Sequence, residues 1–466
     1  MGRSKFSGGT VRNKATIEGS IIVDGTAIIA PENLTSIILN STVTTGTIGA
    51  NKIVYLVGDS TKHVNFAGVG QILDCKFDAT IGEVAFGHAN NDFSFGDNFG
   101  LTLKEGTTLT LGSNFIGKAG TKYIVAGNAF QRNAANTGAN KNIYSDLIIN
   151  ESATLNLVNN SSAASRGNMI FNGTISGAGN LVVNTLFSDL TTANTVYLKT
   201  ANNADFTGNV TVTTGTLQLD GANALINATS VTNNSIINVG TTSQTLKNLS
   251  GSGLINSAAS GAGTLTIDNA AGVSYNGKIT GAAQIDKKGA GDMKIDATEA
   301  PYAGNVTLNS GRLDIKGTLL GSLEINGGVF SPGNSVGSLT AASLTHNAGT
   351  ILFEFELDAA ENLIWDQITV DGAFAMQDGS LISLAFNDVN PTGEFQLISA
   401  NLGTEYIGDL ESYLDPVFRS AWSLTGTADG MFLASKGAAS VPEPSTWALL
   451  ILGALGLWGV RRKSEK

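Results

Sequence analysis

Cysteine is nearly absent. One residue, Cys75, occurs in 466, so no disulfide can close within the chain and no cysteine cluster can hold a metal. Cys75 itself reads as a small buried apolar residue rather than a reactive thiol. Histidine is almost as scarce. His63, His88 and His346 share no H-x-x-x-H or H-E-x-x-H spacing, which removes the usual zinc signatures. Proline is limited to 7 residues while glycine reaches 57, so turns depend on glycine's backbone freedom. Charge is thin at 14% of residues, and its balance is acidic: 27 Lys and Arg against 38 Asp and Glu, a net charge of −11. The basic residues are scattered through the body, whereas a nucleic-acid surface needs them gathered. No DNA or RNA partner is expected, and the acidic balance suits solubility outside a cell. Hydrophobic residues still make up 42%, which fills a core and excludes bulk disorder.

Helical periodicity is the next absence. No stretch before Trp447 keeps a 3.6-residue apolar period with caps. Short alternating runs separated by Gly, Asn, Asp or Ser fill the chain instead, such as Ile21-Ile22-Val23, Ala27-Ile28-Ile29 and Ile53-Val54-Tyr55-Leu56-Val57. This is all-β sequence with dense turns. The runs echo one another. "GAGNLVV" begins at Gly177, "GAGTLTI" at Gly261 and "GAGDMKI" at Gly289; "FTGNVTVTTGTLQLDG" from Phe206 returns as "YAGNVTLNSGRLDIKG" from Tyr302. The copies are unevenly spaced, so the unit varies in length. Leu217 and Leu219 share one face of their strand while Thr216 and Gln218 point away, and Val210 and Val212 behave alike. Asn172-Gly173, Asn276-Gly277 and Asn326-Gly327 are turn pairs. One such unit cannot bury its apolar side alone. Stacked units can, as a β-solenoid with a thin continuous core and rungs of ~20–30 residues. A string of β-sandwich domains would show linkers and a separate core pattern every ~100 residues, and no linker is evident before residue 437.

The C-terminus breaks the pattern: "VPEPSTWALLILGALGLWGVRRKSEK". Trp447 to Val460 is apolar all round, which suits lipid better than a domain surface. As a helix it spans ~21 Å against a hydrocarbon core of ~30 Å, short for a permanent anchor. Arg461, Arg462 and Lys463 would hold the C-terminus in the cytoplasm and leave the body outside. Pro442 and Pro444 keep the preceding segment extended and within reach of a processing enzyme.

Val441-Pro442-Glu443-Pro444, the apolar run and the Arg-Arg-Lys cluster together resemble a PEP-CTERM sorting signal. The resemblance implies recognition by exosortase, a membrane protease-transpeptidase of Gram-negative-type bacteria that make exopolysaccharide. It also implies transient inner-membrane insertion, processing near Pro442-Glu443-Pro444, and delivery of the body to the cell surface or matrix. Proteins with this signal normally begin with a secretory signal peptide. "MGRSKFSGGTVRNKATIEGS" has no apolar core, so the true start is expected upstream. The repeats, over roughly residues 165–385, resemble the autotransporter-associated β-strand repeat of passenger domains. "FNGTISGAGNLVV" from Phe171, "YAGNVTLNSGRLDI" from Tyr302, "GGVFSPGNSVGSLT" from Gly327 and "IWDQITVDGAF" from Ile364 carry the likeness. That resemblance implies a right-handed parallel β-helix. The sorting tail stands where an autotransporter barrel would, so self-export through a barrel is not expected.

Candidate catalytic groups are few. Gly333-Asn334-Ser335-Val336-Gly337 matches G-x-S-x-G, but a nucleophile elbow needs a following helix, and "GSLTAASLTH" reads as strand. A turn is expected. The GAG segments lack the third glycine and the helix of a dinucleotide loop. His88 with Asp92 and Asp97 offers oxygen ligands for calcium or sugar, yet reads as a polar solenoid loop. The enzymatic alternative is a β-helical polysaccharide lyase or glycoside hydrolase. A hydrolase needs paired carboxylates, for which Asp74 with Asp78, or Asp92 with Asp97, are the candidates.

The expectation is therefore an all-β chain: a right-handed parallel β-helix (β-solenoid) with a C-terminal hydrophobic sorting helix. Residues 1–349 form the solenoid with degenerate repeats. Residues 350–436 form late rungs and a cap, where Phe353 and Phe355 alternate with Glu354 and Glu356 and where Trp365, Phe395, Phe418 and Trp422 gather. Residues 437–446 are the linker with Pro-Glu-Pro, and 447–466 the sorting helix and basic tail. The expected function is that of an exported surface or matrix protein, structural or adhesive. It is not an enzyme and takes no cofactor or metal. Its partners are exosortase and, through rows of Thr, Ser, Asn and Asp, exopolysaccharide or other matrix proteins.

Overall fold

The computed structural model describes the backbone of the strands from Arg3 on and most of residues 76–436, with side chains from Phe77 and at Leu56 and Val64 before it. The expected linker 437–446 and sorting helix 447–466 lie outside the described residues, as do Asp74, Cys75, His88 and Asp92. Among the described residues the only helical turns are two short 3-10 turns, Thr404–Tyr406 and Glu411–Tyr413. None is long and apolar enough to cross a membrane.

The strands recur in threes. Gly100–Leu103, Thr108–Leu111 and Phe115–Ile116 make one coil; Lys122–Val125, Asn128–Asn133 and Lys141–Ile143 make the next. Each strand pairs in parallel with its counterpart one coil on, as in Leu101↔Tyr123, Leu109↔Gln131 and Ile116↔Ile143. The result is three faces, formed by parallel sheets of 8, 11 and 8 strands, none closed into a barrel. An 18-stranded sheet starts at Gln244, and beyond Thr280 it takes in every face, because the strands lengthen and run through corners. Asp292–Tyr302 pairs Met293 with Leu313 on one face and Tyr302 with Leu319 around the bend.

Alternation drives this stacking. Leu155, Leu181, Val210, Val231 and Leu249 follow one another up one column, and all are fully buried. Burying each contributes roughly 1.5–3 kcal/mol relative to exposure. Coil length is free to vary as long as alternation resumes. Leu181 pairs Val210, 29 residues on, and Val210 pairs Val231, 21 residues on. Glycine is demanded where coils meet at corners. A Cβ on Gly208 would sit 1.7 Å from the Gly179 carbonyl oxygen. On Gly177, at φ +98°, it would sit 2.0 Å from that of Ile149.

Polar side chains satisfy the main chain inside the corners. Asn269 is fully buried; its Oδ1 accepts from Leu249 N–H at 2.8 Å and its Nδ2 donates to Leu249 O at 2.9 Å. Lys287 is also fully buried. Its Nζ donates to the carbonyls of Lys288, Gly289 and Ser310 at 2.7, 3.1 and 3.2 Å. Three donors with three acceptors make the burial tolerable, and desolvation lowers the ammonium pKa.

The columns end in three different ways. On the last strand of one face, Phe374–Met376, Tyr406 Oη accepts from Met376 N–H at 2.9 Å and donates to Met376 O at 3.0 Å. On the second face, the N–H of Asp415 donates to Ile382 O at 2.8 Å. On the third, Glu394–Ala400 pairs antiparallel with Gly430–Ser435, which pairs with Trp422–Thr427. Beneath this end the aromatic rings pack together: Phe355 and Phe395 lie 5.4 Å apart edge-on, and Phe386 stacks on Trp422 at 5.4 Å.

Candidate functional site

Val441, Pro442, Glu443 and Pro444, and the cluster Arg461, Arg462 and Lys463, lie outside the described residues. The described members of the other sequence candidates do not come together. Asp97 is exposed and pairs with Lys118 at 2.5 Å, while Asp78 faces Lys104 at 3.6 Å. His346 is fully buried with Nε2 3.1 Å from Gly349 O, and burial pushes its pKa down to about 4. It is a neutral core histidine near pH 7. Ser335 donates from Oγ to both carboxylate oxygens of Glu356 at 3.1 and 3.0 Å, and the strand Ser338–His346 follows it rather than a helix. Among the described residues no cluster of three His, Cys, Asp or Glu could hold a metal.

The sites with chemical potential are elsewhere, on the outer faces. The strands beginning at Asp292 and Arg312 lie in register, so Asp292 faces Arg312, Lys294 faces Asp314, and Asp296 faces Lys316. Alternate residues point outward, which sets three opposite charges against three on adjacent coils. Lys316 Nζ reaches Asp296 at 2.9 Å, and Arg312 Nε reaches Asp314 at 2.7 Å. Each cross-strand pair of this kind contributes about 0.2–1 kcal/mol. Their larger effect is on register, since a one-residue slip would turn every charge inward.

Beside this ladder the corner at Asn276 and Gly277 leaves two adjoining hollows of about 120 and 310 Å³, both lined by Asn276, Gly277 and Asp296. Lys294, Asp314 and Lys316 line the first; Lys278 and Glu299, 2.6 Å apart, line the second. Ammonium and amide donors alternate with carboxylate acceptors, an arrangement that can bridge hydroxyl groups. Asp314 is only 4% exposed, and burial pushes its carboxyl up to about 6 although Arg312 pulls it down.

Asp366 lies deeper and is fully buried. Its Oδ1 accepts from Gly337 N–H at 2.6 Å, and its Oδ2 accepts from Glu354 N–H at 2.9 Å and from Ser331 Oγ at 3.5 Å. Burial outweighs these donors and pushes its pKa up to about 7. Sequence reasoning singled out neither Asp314 nor Asp366. Each is a lone acid in a strand region, and nothing local marks it as covered.

Amide and hydroxyl rows run along the stack as well. Asn209 Nδ2 donates to Asn180 Oδ1 at 3.0 Å, and Ser230 Oγ donates to Asn209 Oδ1 at 2.7 Å. Three coils of another face repeat the pattern at Asn309, Asn326 and Asn347, at 3.3 and 2.8 Å.

The described body is a parallel β-stack with polar outer rows, and the tail that follows it in sequence implies the class: an exported surface protein. The particulars come from two similarities. Residues 440–463 match the PEP-CTERM protein-sorting motif, which implies processing by exosortase, a membrane protease. The chain is 26% identical over 299 residues to the adhesin BmaC autotransporter of Brucella suis biovar 1 (strain 1330), a match covering 59% of this chain and 8% of that protein. This distant relative supports the autotransporter-type repeats. The chain thus spans a small fraction of the curated relative's length.

Proposed function

We propose that this chain is a right-handed parallel β-helix displayed on the surface or in the matrix of an exopolysaccharide-producing bacterium, where it is structural or adhesive rather than enzymatic. The observation that carries this reading is the sorting motif at 440–463 placed directly behind a body of stacked strands. The similarity to an adhesin supports the adhesive part. In this reading residues 1–349 are the rod, 350–436 its last rungs and cap, and 437–446 the linker. Trp447 to Val460 inserts transiently in the inner membrane, Arg461, Arg462 and Lys463 stop its passage, and exosortase acts near Val441-Pro442-Glu443-Pro444. The ligand is exopolysaccharide or a matrix protein, held by many weak polar contacts in the corner groove and along the amide rows.

A lyase or glycosidase is the alternative reading. It draws on Asp314, a carboxyl held up to about 6 beside a groove. One experiment separates the two. The released protein is mixed with the producing strain's exopolysaccharide, and co-sedimentation and new reducing or unsaturated ends are scored in the same tube. Retention without new ends supports the binder. New ends that vanish in Asp314→Asn would make the protein an enzyme.

A further inference from the structure

We infer that the groove at the Asn276-Gly277 corner is a subsite for an acidic sugar, a uronate of a polysaccharide chain, whose carboxylate is held by Lys294. This rests on the binding reading above. The charges that line the groove are unequally paired. Lys316 Nζ reaches Asp296 at 2.9 Å and Lys278 Nζ reaches Glu299 at 2.6 Å, so two of its lysines are taken by its own acids. Its third acid, Asp314, is taken by Arg312 at 2.7 Å, and Arg312 stands outside the lining. Arg312 also faces Glu354 at 3.8 Å. Lys294 lies opposite Asp314 on the neighbouring coil. With that carboxyl occupied, Lys294 is, among the described residues, the lysine of the groove left without a direct ion pair. One ammonium balances one negative charge, which a carboxylate carries, whereas a phosphate ester carries nearly two.

The rest of the lining suits a ring of hydroxyl groups. Asp296 borders both hollows and is fixed in place: its Oδ1 accepts from Thr298 N–H at 3.1 Å and Thr298 Oγ1 at 2.5 Å, and its Oδ2 from Lys316. Its remaining lone pairs accept from sugar hydroxyls. Asn276 also borders both hollows, and its amide offers a donor and an acceptor side by side. Ser252 and Thr298 add hydroxyls to the larger hollow. Ile295 is the one apolar side chain of the lining, and it is buried, so an apolar peptide side chain finds no seat. The larger hollow, at 310 Å³, stands at the low end of the ~300–1,000 Å³ of small-ligand sites, and the smaller one extends it.

The test measures binding of the immobilised full chain to soluble probes: oligomers of galacturonate and of mannuronate, the methyl ester of each, and poly-glutamate. At least one uronate oligomer should bind about tenfold tighter than its ester and than poly-glutamate. Lys294→Gln should weaken that binding about tenfold, because a charge-assisted contact is lost. Lys294→Arg should retain it, which separates loss of the charge from loss of the fold. Lys122→Gln, outside the groove, should leave it unchanged. Failure of both uronates, equal binding of acid and ester, equal binding of poly-glutamate, or an unweakened Lys294→Gln would overturn the subsite. If the producing strain's own exopolysaccharide is still retained in those cases, the subsite falls alone. Loss of every polysaccharide, the strain's own included, would overturn the binding reading beneath it.

Discussion

The buried carboxyl of Asp366 gives the body a stability contribution that falls as pH rises. Its folded pKa is raised to about 7 from an ordinary 3.8, chiefly by burial. Between those values the folded state holds a proton that the unfolded state releases. Stability is then fully present below about pH 4 and is lost as pH rises through about 7. A shift of about three units corresponds to ~4 kcal/mol at full ionisation, and Asp314, raised to about 6, adds to it with the same sign. Asp366→Asn tests the assignment. The amide keeps an acceptor for Gly337 N–H but turns a donor toward Glu354 N–H or Ser331 Oγ, which costs ~1–2 kcal/mol. It also removes the titration. The variant should be less stable than wild type at pH 4.5 and equal or more stable at pH 8, so the two curves cross. The assay is urea unfolding followed by tryptophan fluorescence, with Trp365 next in the chain and bonded to Gln396 O at 2.9 Å. His346, lowered by burial to about 4 from 6.5, contributes with the opposite sign between those values, so the test reads the difference between the two proteins: curves that run parallel from pH 4.5 to 8 would refute the reasoning.

Three further outcomes follow from the packing. Gly208→Ala forces a methyl against the Gly179 carbonyl and should lower the melting transition by several degrees, measured by circular dichroism, because the backbone of two coils must separate. Lys287→Met fills the same space but strands three carbonyls. The lost bonds exceed the relieved desolvation by about 2 kcal/mol, and amide exchange at Gly289 and Ser310 should quicken at least tenfold. Tyr406→Phe frees both main-chain groups of Met376, costs ~1–2 kcal/mol, and should raise light scattering at high protein concentration.

Some of this was legible in the chain because it is local. Leu217 and Leu219 announce their strand by a two-residue period, and the sorting tail is a linear signal that needs no fold to be read. The repeats were legible as likenesses but not as positions. The Val210 column continues through Val231 and Leu249, and a bridge from Gly251 carries it to Tyr275 and then Met293 and Leu313. "NVTV" at Asn209 thus shares its face with "RLDI" at Arg312, while "NVTL" at Asn305 stacks on the column of Ile285 and Leu265. The repeated unit is a strand, a corner and a strand, and it falls on whichever faces the varying coil lengths bring round. Asp314 and Asp366 escaped for a related reason. Asp314 faces Ser331 across the coils, and Asp366 is covered where the chain around Gly337 folds over it. Burial made by distant segments leaves no trace in the residues beside an acid.

The last strand carries a mechanical consequence. Gly430–Ser435 lies between two antiparallel neighbours, and the chain leaves from its end at Lys436. Antiparallel hydrogen bonds stand perpendicular to their strands. A pull between the end of this strand and a ligand gripped farther along the stack runs across the strands and along their hydrogen bonds, so it parts the rows one bond at a time instead of loading them together in shear. The strand that ends at Lys436 is therefore the first part of the stack that tension peels away, and the coils beyond it follow in turn.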